Sequence, residues 1–75
     1  MNLNDRSFLK DVGHRIRDLR LNRKLTQAQL ADVCELHRTF IGSVERGERN
    51  ISILNLRLLA KKLRVPLSEL FEKLV

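Results

Sequence analysis

Apolar residues in this chain recur every three or four positions, and the helix formers Leu, Arg, Lys, Glu and Gln dominate between them, so the pattern predicts helices throughout. In a first helix over about residues 6–23, Phe8, Leu9, Val12, Ile16 and Leu19 share an arc of roughly 100°, a core stripe. Arg20 sits at the edge of that arc, whereas Arg15 and Arg17 point away from its centre. A second helix is announced by Thr26 and Gln29, the spacing of a capping box, with Leu25 and Leu30 placed as a hydrophobic staple. Ala31, Val33 and Cys34 follow, and Glu35-Leu36-His37 then breaks the pattern as a tight turn. The third helix, about residues 38–46, sets Phe40, Ile41 and Val44 toward the core and Arg38, Thr39, Gly42, Ser43 and Arg46 on the opposite arc. Gly47 closes it in the manner of a left-handed cap. After the polar loop 48–50, Ser52 caps a fourth helix, about 53–64, whose core arc is Ile53, Leu56, Leu59, Ala60 and Leu63. Val65-Pro66 opens a fifth, with Leu67, Leu70, Phe71 and Leu74 as its apolar positions.

Two short helices joined by a tight turn form the helix-turn-helix arrangement, in which the second helix enters the major groove of DNA. The outward arc of the third helix carries long cations, short hydroxyls and a glycine, with no acid among them. A solvated face usually mixes both signs of charge. This one suits an acidic, hydrogen-bonding surface. Arg38, a long two-pronged donor at the helix start, matches the O6 and N7 acceptors of guanine, and Thr39 and Ser43 complete the expected base-reading set. Gln27, first in the second helix, and the cluster Arg46, Arg49 and Asn50 are expected on phosphates.

Charge strengthens that reading. The chain has 75 residues, with 15 Lys and Arg against 9 Asp and Glu, a formal net charge of +6. Such a field favours polyanions. The length fits one small domain, 1–75, without an effector domain, and leaves little room for the pocket and lid of an enzyme. No apolar run exceeds the three residues 58–60, far short of the about 20 that span a bilayer. The start, residues 1–6, is polar and lacks the apolar stretch of a signal peptide. Cys34 stands alone and neither His14 nor His37 has partners at ligand spacing, so no disulfide, metal or cofactor is expected and the bacterial cytosol is the expected location. The first helix, basic on its outer side, could lie on a membrane surface, but the core requires its apolar face.

The stretch Leu25-Thr26-Gln27-Ala28-Gln29-Leu30-Ala31, with Ile41 and Val44-Glu45-Arg46-Gly47, resembles the XRE, lambda-repressor-like family of DNA-binding domains. The likeness spans nearly the whole chain and implies an all-α, five-helix fold. Within the family, His37-Arg38-Thr39-Phe40-Ile41 and the run from Glu45 to Ser52 resemble the controller proteins of restriction–modification systems. That resemblance implies a homodimer on a palindromic or pseudo-palindromic double-stranded operator, regulating its own operon and the endonuclease gene. Activation would add a contact with RNA polymerase through its sigma subunit. It also implies a structural ion pair between Arg20 and Glu45. Three positions depart from the pattern. Glu35 stands where the turn usually has glycine, Phe40 where controllers often have tyrosine, and Gly42-Ser43 inverts their usual Ser-Gly order. A phage-type or antitoxin-like autorepressor of the same fold is the alternative. A protein-interaction module that has lost DNA binding is the reading from another class, and the acid-free third helix argues against it.

The fourth helix has more leucine than its core stripe uses. Leu54 and Leu58, one turn apart, lie roughly opposite Leu56, Leu59 and Leu63, and Val65 extends their sector. A self-complementary patch of this kind predicts the dimer contact. The competing cover for it is the first helix or the C-terminal Leu74-Val75.

Overall fold

A computed structural model describes residues 2–72. Its elements are α1 (Leu3–Asn22), α2 (Gln27–Cys34), α3 (Arg38–Glu45), α4 (Ile53–Leu63) and a 3-10 helix (Leu67–Phe71). The expected fifth helix is therefore a single tight 3-10 segment, and Leu74 and Val75 lie outside the described residues. No strand occurs among the described residues. α1 begins three residues earlier than its apolar stripe suggests, because Asn2 caps it: the Asn2 Oδ1 accepts from the Asp5 N–H at 2.8 Å.

The helices close around Ile16, Leu30, Ile41, Leu59, Leu63 and Leu70, all fully buried. Each such side chain contributes about 1.5–3 kcal/mol relative to remaining in water. Cys34 is buried among them as a small apolar group, and burial pushes its thiol pKa up against the opposing charge of Lys62. α1 and α3 approach closely at Gly13, where a Cβ would stand 2.6 Å from the Glu45 carbonyl oxygen. Only glycine fits there.

Phe8 departs from the expected core stripe. It is 39% exposed and stacks on Phe71, with ring centroids 6.5 Å apart. Arg15, expected to point away, is half-buried. Its Nε donates to the Glu69 carbonyl at 2.7 Å and its Nη2 to the Glu69 carboxylate, tying α1 to the 3-10 helix. Arg23 closes the other end, its Nε donating to the Leu63 carbonyl at 3.0 Å, one of the free acceptors at the end of α4.

Candidate nucleic-acid interface

The start of α2 is built as its sequence requires. The Thr26 Oγ1 accepts from the Gln29 N–H at 3.0 Å, and the Gln29 Oε1 accepts from the Thr26 N–H at 2.8 Å. α2 ends with Glu35 in the left-handed region, φ 56 and ψ 38. The chain accepts this strain rather than finding another turn, and the Leu36 N–H then reaches the Ala31 carbonyl at 2.9 Å. His37, which the sequence marks only as a turn residue, caps α3: its Nδ1 accepts from the Thr39 N–H at 3.1 Å. Arg38 and Thr39 are thereby presented, both exposed, on the first turn of α3.

At the other end of α3 lies the ion pair. Arg20 donates from Nε to Glu45 Oε2 at 2.7 Å and from Nη2 to Oε1 at 2.9 Å, with side chains 7% and 2% exposed. Arg20 Nη1 also donates to the Leu25 carbonyl at 2.7 Å. The hydrogen bond to Glu45 raises the Arg20 pKa against the opposing effect of burial. Gln27 joins the pair, its Nε2 donating to Glu45 Oε1 at 3.0 Å. One of the two side-chain N–H donors expected on a phosphate is thus bound inside the protein, and one carboxylate latches α1, α2 and α3 together.

Ser43 also departs from its expected place. The third helix is packed on more than one side, so Gly42 and Ser43 are buried while Phe40 is only half-buried. The Ser43 hydroxyl donates to the Phe40 carbonyl at 2.8 Å and accepts from Arg49 Nε at 3.2 Å. The Arg49 guanidinium lies over the Phe40 ring, 5.5 Å from its centroid. Ser43 therefore does not stand on the exposed face with Arg38 and Thr39; it holds Arg49. Gly47, at φ 75, turns the chain out of α3. Arg46 forms a two-pronged pair with Glu48, Nε to Oε2 at 3.0 Å and Nη2 to Oε1 at 3.1 Å. That bonding raises the Arg46 pKa and holds the Glu48 carboxyl below its ordinary value.

Arg46 shares a hollow of about 770 Å³ with Arg6 and Lys10 of α1, two cations the helical pattern did not single out. Their signal would have been tertiary, since Gly47 packs against Lys10. Asn50 is exposed and lines a different hollow, with Asp5, Phe8 and Leu9. A surface with exposed guanidinium groups at 38, 46 and 49 beside two helix starts can grip an anionic polymer and hydrogen-bond what lies between its charges.

The leucine stripe of α4 is narrower than expected. Leu54 is 63% exposed, but Leu58 and Val65 are half-buried against the core, while Ile53, expected in the core arc, is 61% exposed at the first turn of α4. Val65 does not continue the helical sector, because Arg64 leaves α4 in the left-handed region at φ 60. Among the described residues no three His, Cys, Asp or Glu side chains gather to hold a metal ion. No described helix is long and apolar enough to cross a membrane.

A family model described as helix-turn-helix matches residues 16–70. The chain is 42% identical over 62 residues to the control protein C.SmaI of Serratia marcescens, covering 83% of this chain and 74% of that protein. Its fold matches the restriction–modification controller protein C.AhdI of Aeromonas hydrophila with a TM-score of 0.81 at 42% identity, over 87% of this chain and 97% of that one. The controller protein C.Esp1396I, solved as a tetramer in complex with its natural 35 base-pair operator, matches with a TM-score of 0.78 at 38% identity, over 87% and 86% of the two chains.

Proposed function

This chain belongs to the helix-turn-helix family, and from that premise we propose that it is a sequence-specific DNA-binding transcription regulator, a controller protein of a restriction–modification system. The observation that carries the reading is the exposed first turn of α3, Arg38 and Thr39, together with the start of α2 and the arginines after α3. C.Esp1396I, a relative of the same fold, is solved on its operator. Arg38 and Thr39 read base edges; Arg46, Arg49, Asn50 and the start of α2 take phosphates. Ser43 serves through Arg49.

The chain acts as a single domain, as a homodimer on a palindromic or pseudo-palindromic site, and not as an enzyme. It works in the bacterial cytosol. Sites of different affinity would let it repress and activate its own operon and the endonuclease gene, the activating state touching the sigma subunit of RNA polymerase.

Footprinting on the DNA upstream of its own gene tests this. The expected result is protection of two half-sites centred about 10 base pairs, or ~34 Å, apart. Equal affinity for that DNA and an unrelated duplex would overturn it. Arg38→Ala is expected to cost about 1–3 kcal/mol of specific binding and to relax preference at one base pair per half-site. Competition with single-base operator variants measures both effects.

A further inference from the structure

Arg46 and Arg49 leave the end of α3 in the same turn but are held in opposite ways. Arg49 rests on uncharged groups, the Phe40 ring and the Ser43 hydroxyl, and feels Glu48 only through space, without a hydrogen bond to it. Arg46 gives two nitrogens to the Glu48 carboxylate at 3.0 and 3.1 Å, with side chains 58% and 56% exposed. Phosphate meets a guanidinium with the same two-pronged geometry. The carboxylate therefore occupies one of the two edges through which Arg46 could grip a DNA backbone.

Two further observations place this pair on the recognition surface. Gly42 has no Cβ, and one built there would stand 3.2 Å from Arg46 Nη1 and 3.3 Å from Gln27 Oε1. Arg46 thus leans over α3 beside the start of α2 instead of trailing into the loop. Glu48 is also isolated in sign. Between positions 36 and 52 the only other acid is Glu45, which is buried against Arg20, while Arg6, Lys10 and Arg46 line the hollow that Glu48 shares.

We propose that Glu48 is a specificity-determining residue, a built-in stand-in for a DNA phosphate that holds Arg46 until a correctly placed backbone displaces it. The proposal rests on the DNA-binding reading above. On an unrelated duplex, held loosely by charge, Arg46 gains little by exchanging one anion for another, and Glu48 repels the backbone. On the operator, base contacts from Arg38 and Thr39 fix the register and deliver a phosphate to the right place. An exposed ion pair is weakly held, so the exchange is then easy. Glu48 in this way lowers affinity for DNA in general more than affinity for the operator.

Glu48→Gln keeps the shape and removes the charge. Affinities for the upstream operator DNA and for an unrelated duplex of equal length are measured across a salt series, in the parent and in an Arg46→Ala background. In the parent background the unrelated duplex is expected to bind about 3–10-fold tighter, with a salt slope steeper by about one unit per protomer, while the operator gains less. In the Arg46→Ala background most of that gain disappears, a coupling that a double-mutant cycle isolates. Weaker operator binding with no change on unrelated DNA would overturn the proposal and make Glu48 a residue that orients Arg46 for reading. An equal gain with and without Arg46, or no gain at all, would overturn it as well. A parent that does not prefer its operator fails the DNA-binding reading itself, and the parent titration alone reveals that.

Discussion

Glu45 accepts from two nitrogens of Arg20 and one of Gln27 in a space almost closed to solvent, so removing its carboxylate leaves a guanidinium buried without a counter-charge. Glu45→Ala is expected to destabilise the domain by about 3–5 kcal/mol. Urea unfolding measures this; a midpoint unchanged from the parent would mean that the pair contributes little. The sequence placed Arg20 at the edge of an apolar arc, but burial and pairing depend on α3 lying across α1, which Gly13 permits. Ser43 and Gln27 show the same limit from the other side. Their residue types suit DNA contact, yet the Ser43 hydroxyl is spent on the Phe40 carbonyl and Arg49, and one of the two Gln27 amide donors on Glu45. Helical periodicity gives an angle around one axis. It does not say how many neighbours surround that axis.

The starts of α2 and α4 were legible because capping is local chemistry, whereas the Asn2 cap of α1 and the His37 cap of α3 were not singled out. Thr26 and Gln29 make the capping box that their spacing predicts, and Ser52 caps α4, its Oγ accepting from the Asn55 N–H at 3.1 Å. Glu35 carries the strain expected of a side chain in a glycine position, with φ at 56. Glu35→Gly is therefore expected to stabilise the turn between α2 and α3 by about 0.5–1 kcal/mol, the relief of left-handed strain being partly offset by a more flexible unfolded chain. A melting temperature raised by about 2–8 °C would show this, and a lowered one would mean that the Glu35 side chain makes a compensating contact. The fifth element was less legible. Apolar spacing at Leu67, Leu70 and Phe71 fits a short α-helix and a 3-10 turn equally well. What distinguishes them is how the segment meets α1, through Arg15 at Glu69 and Phe8 on Phe71.

At the scale of the molecule, the described residues extend 32 × 23 × 21 Å, so one copy spans about one turn of duplex DNA. The two half-sites of the proposed operator call for two copies. Leu3, Leu21 and Val33 are exposed on other helices, but the exposed apolar pair on α4 is Ile53 and Leu54 at its start, with Arg57 and Lys61 bordering the shallow hollow beside Leu54. Leu58 packs partly on the core, so its replacement would disturb stability as well as any interface. Leu54→Lys leaves the core untouched and adds a cation to a face already basic, and a two-fold axis would set that face against itself. The expected outcome is a folded monomer by sedimentation and circular dichroism. Operator affinity should be lower by about 100-fold as the linked half-sites lose their effective concentration. A persistent dimer would place the interface elsewhere.

Helical periodicity, caps, turn residues and net charge by themselves determined an all-helical chain, its helix-turn-helix and its attraction to a polyanion. These features depend on neighbours within about four residues, or on composition alone, and both are written in the linear order. Tertiary structure alone decided which polar side chains are free to meet a partner. Gln27 tied its amide to Glu45, Ser43 turned inward, Arg15 became a tether, and of the expected α4 patch Leu54 alone stayed exposed, joined by Ile53 from the expected core arc. The physical reason is that a buried donor or acceptor must find a partner wherever packing brings one within about 3 Å. Gln27 and Arg15 find theirs 18 and 54 residues away, at separations that no local pattern encodes.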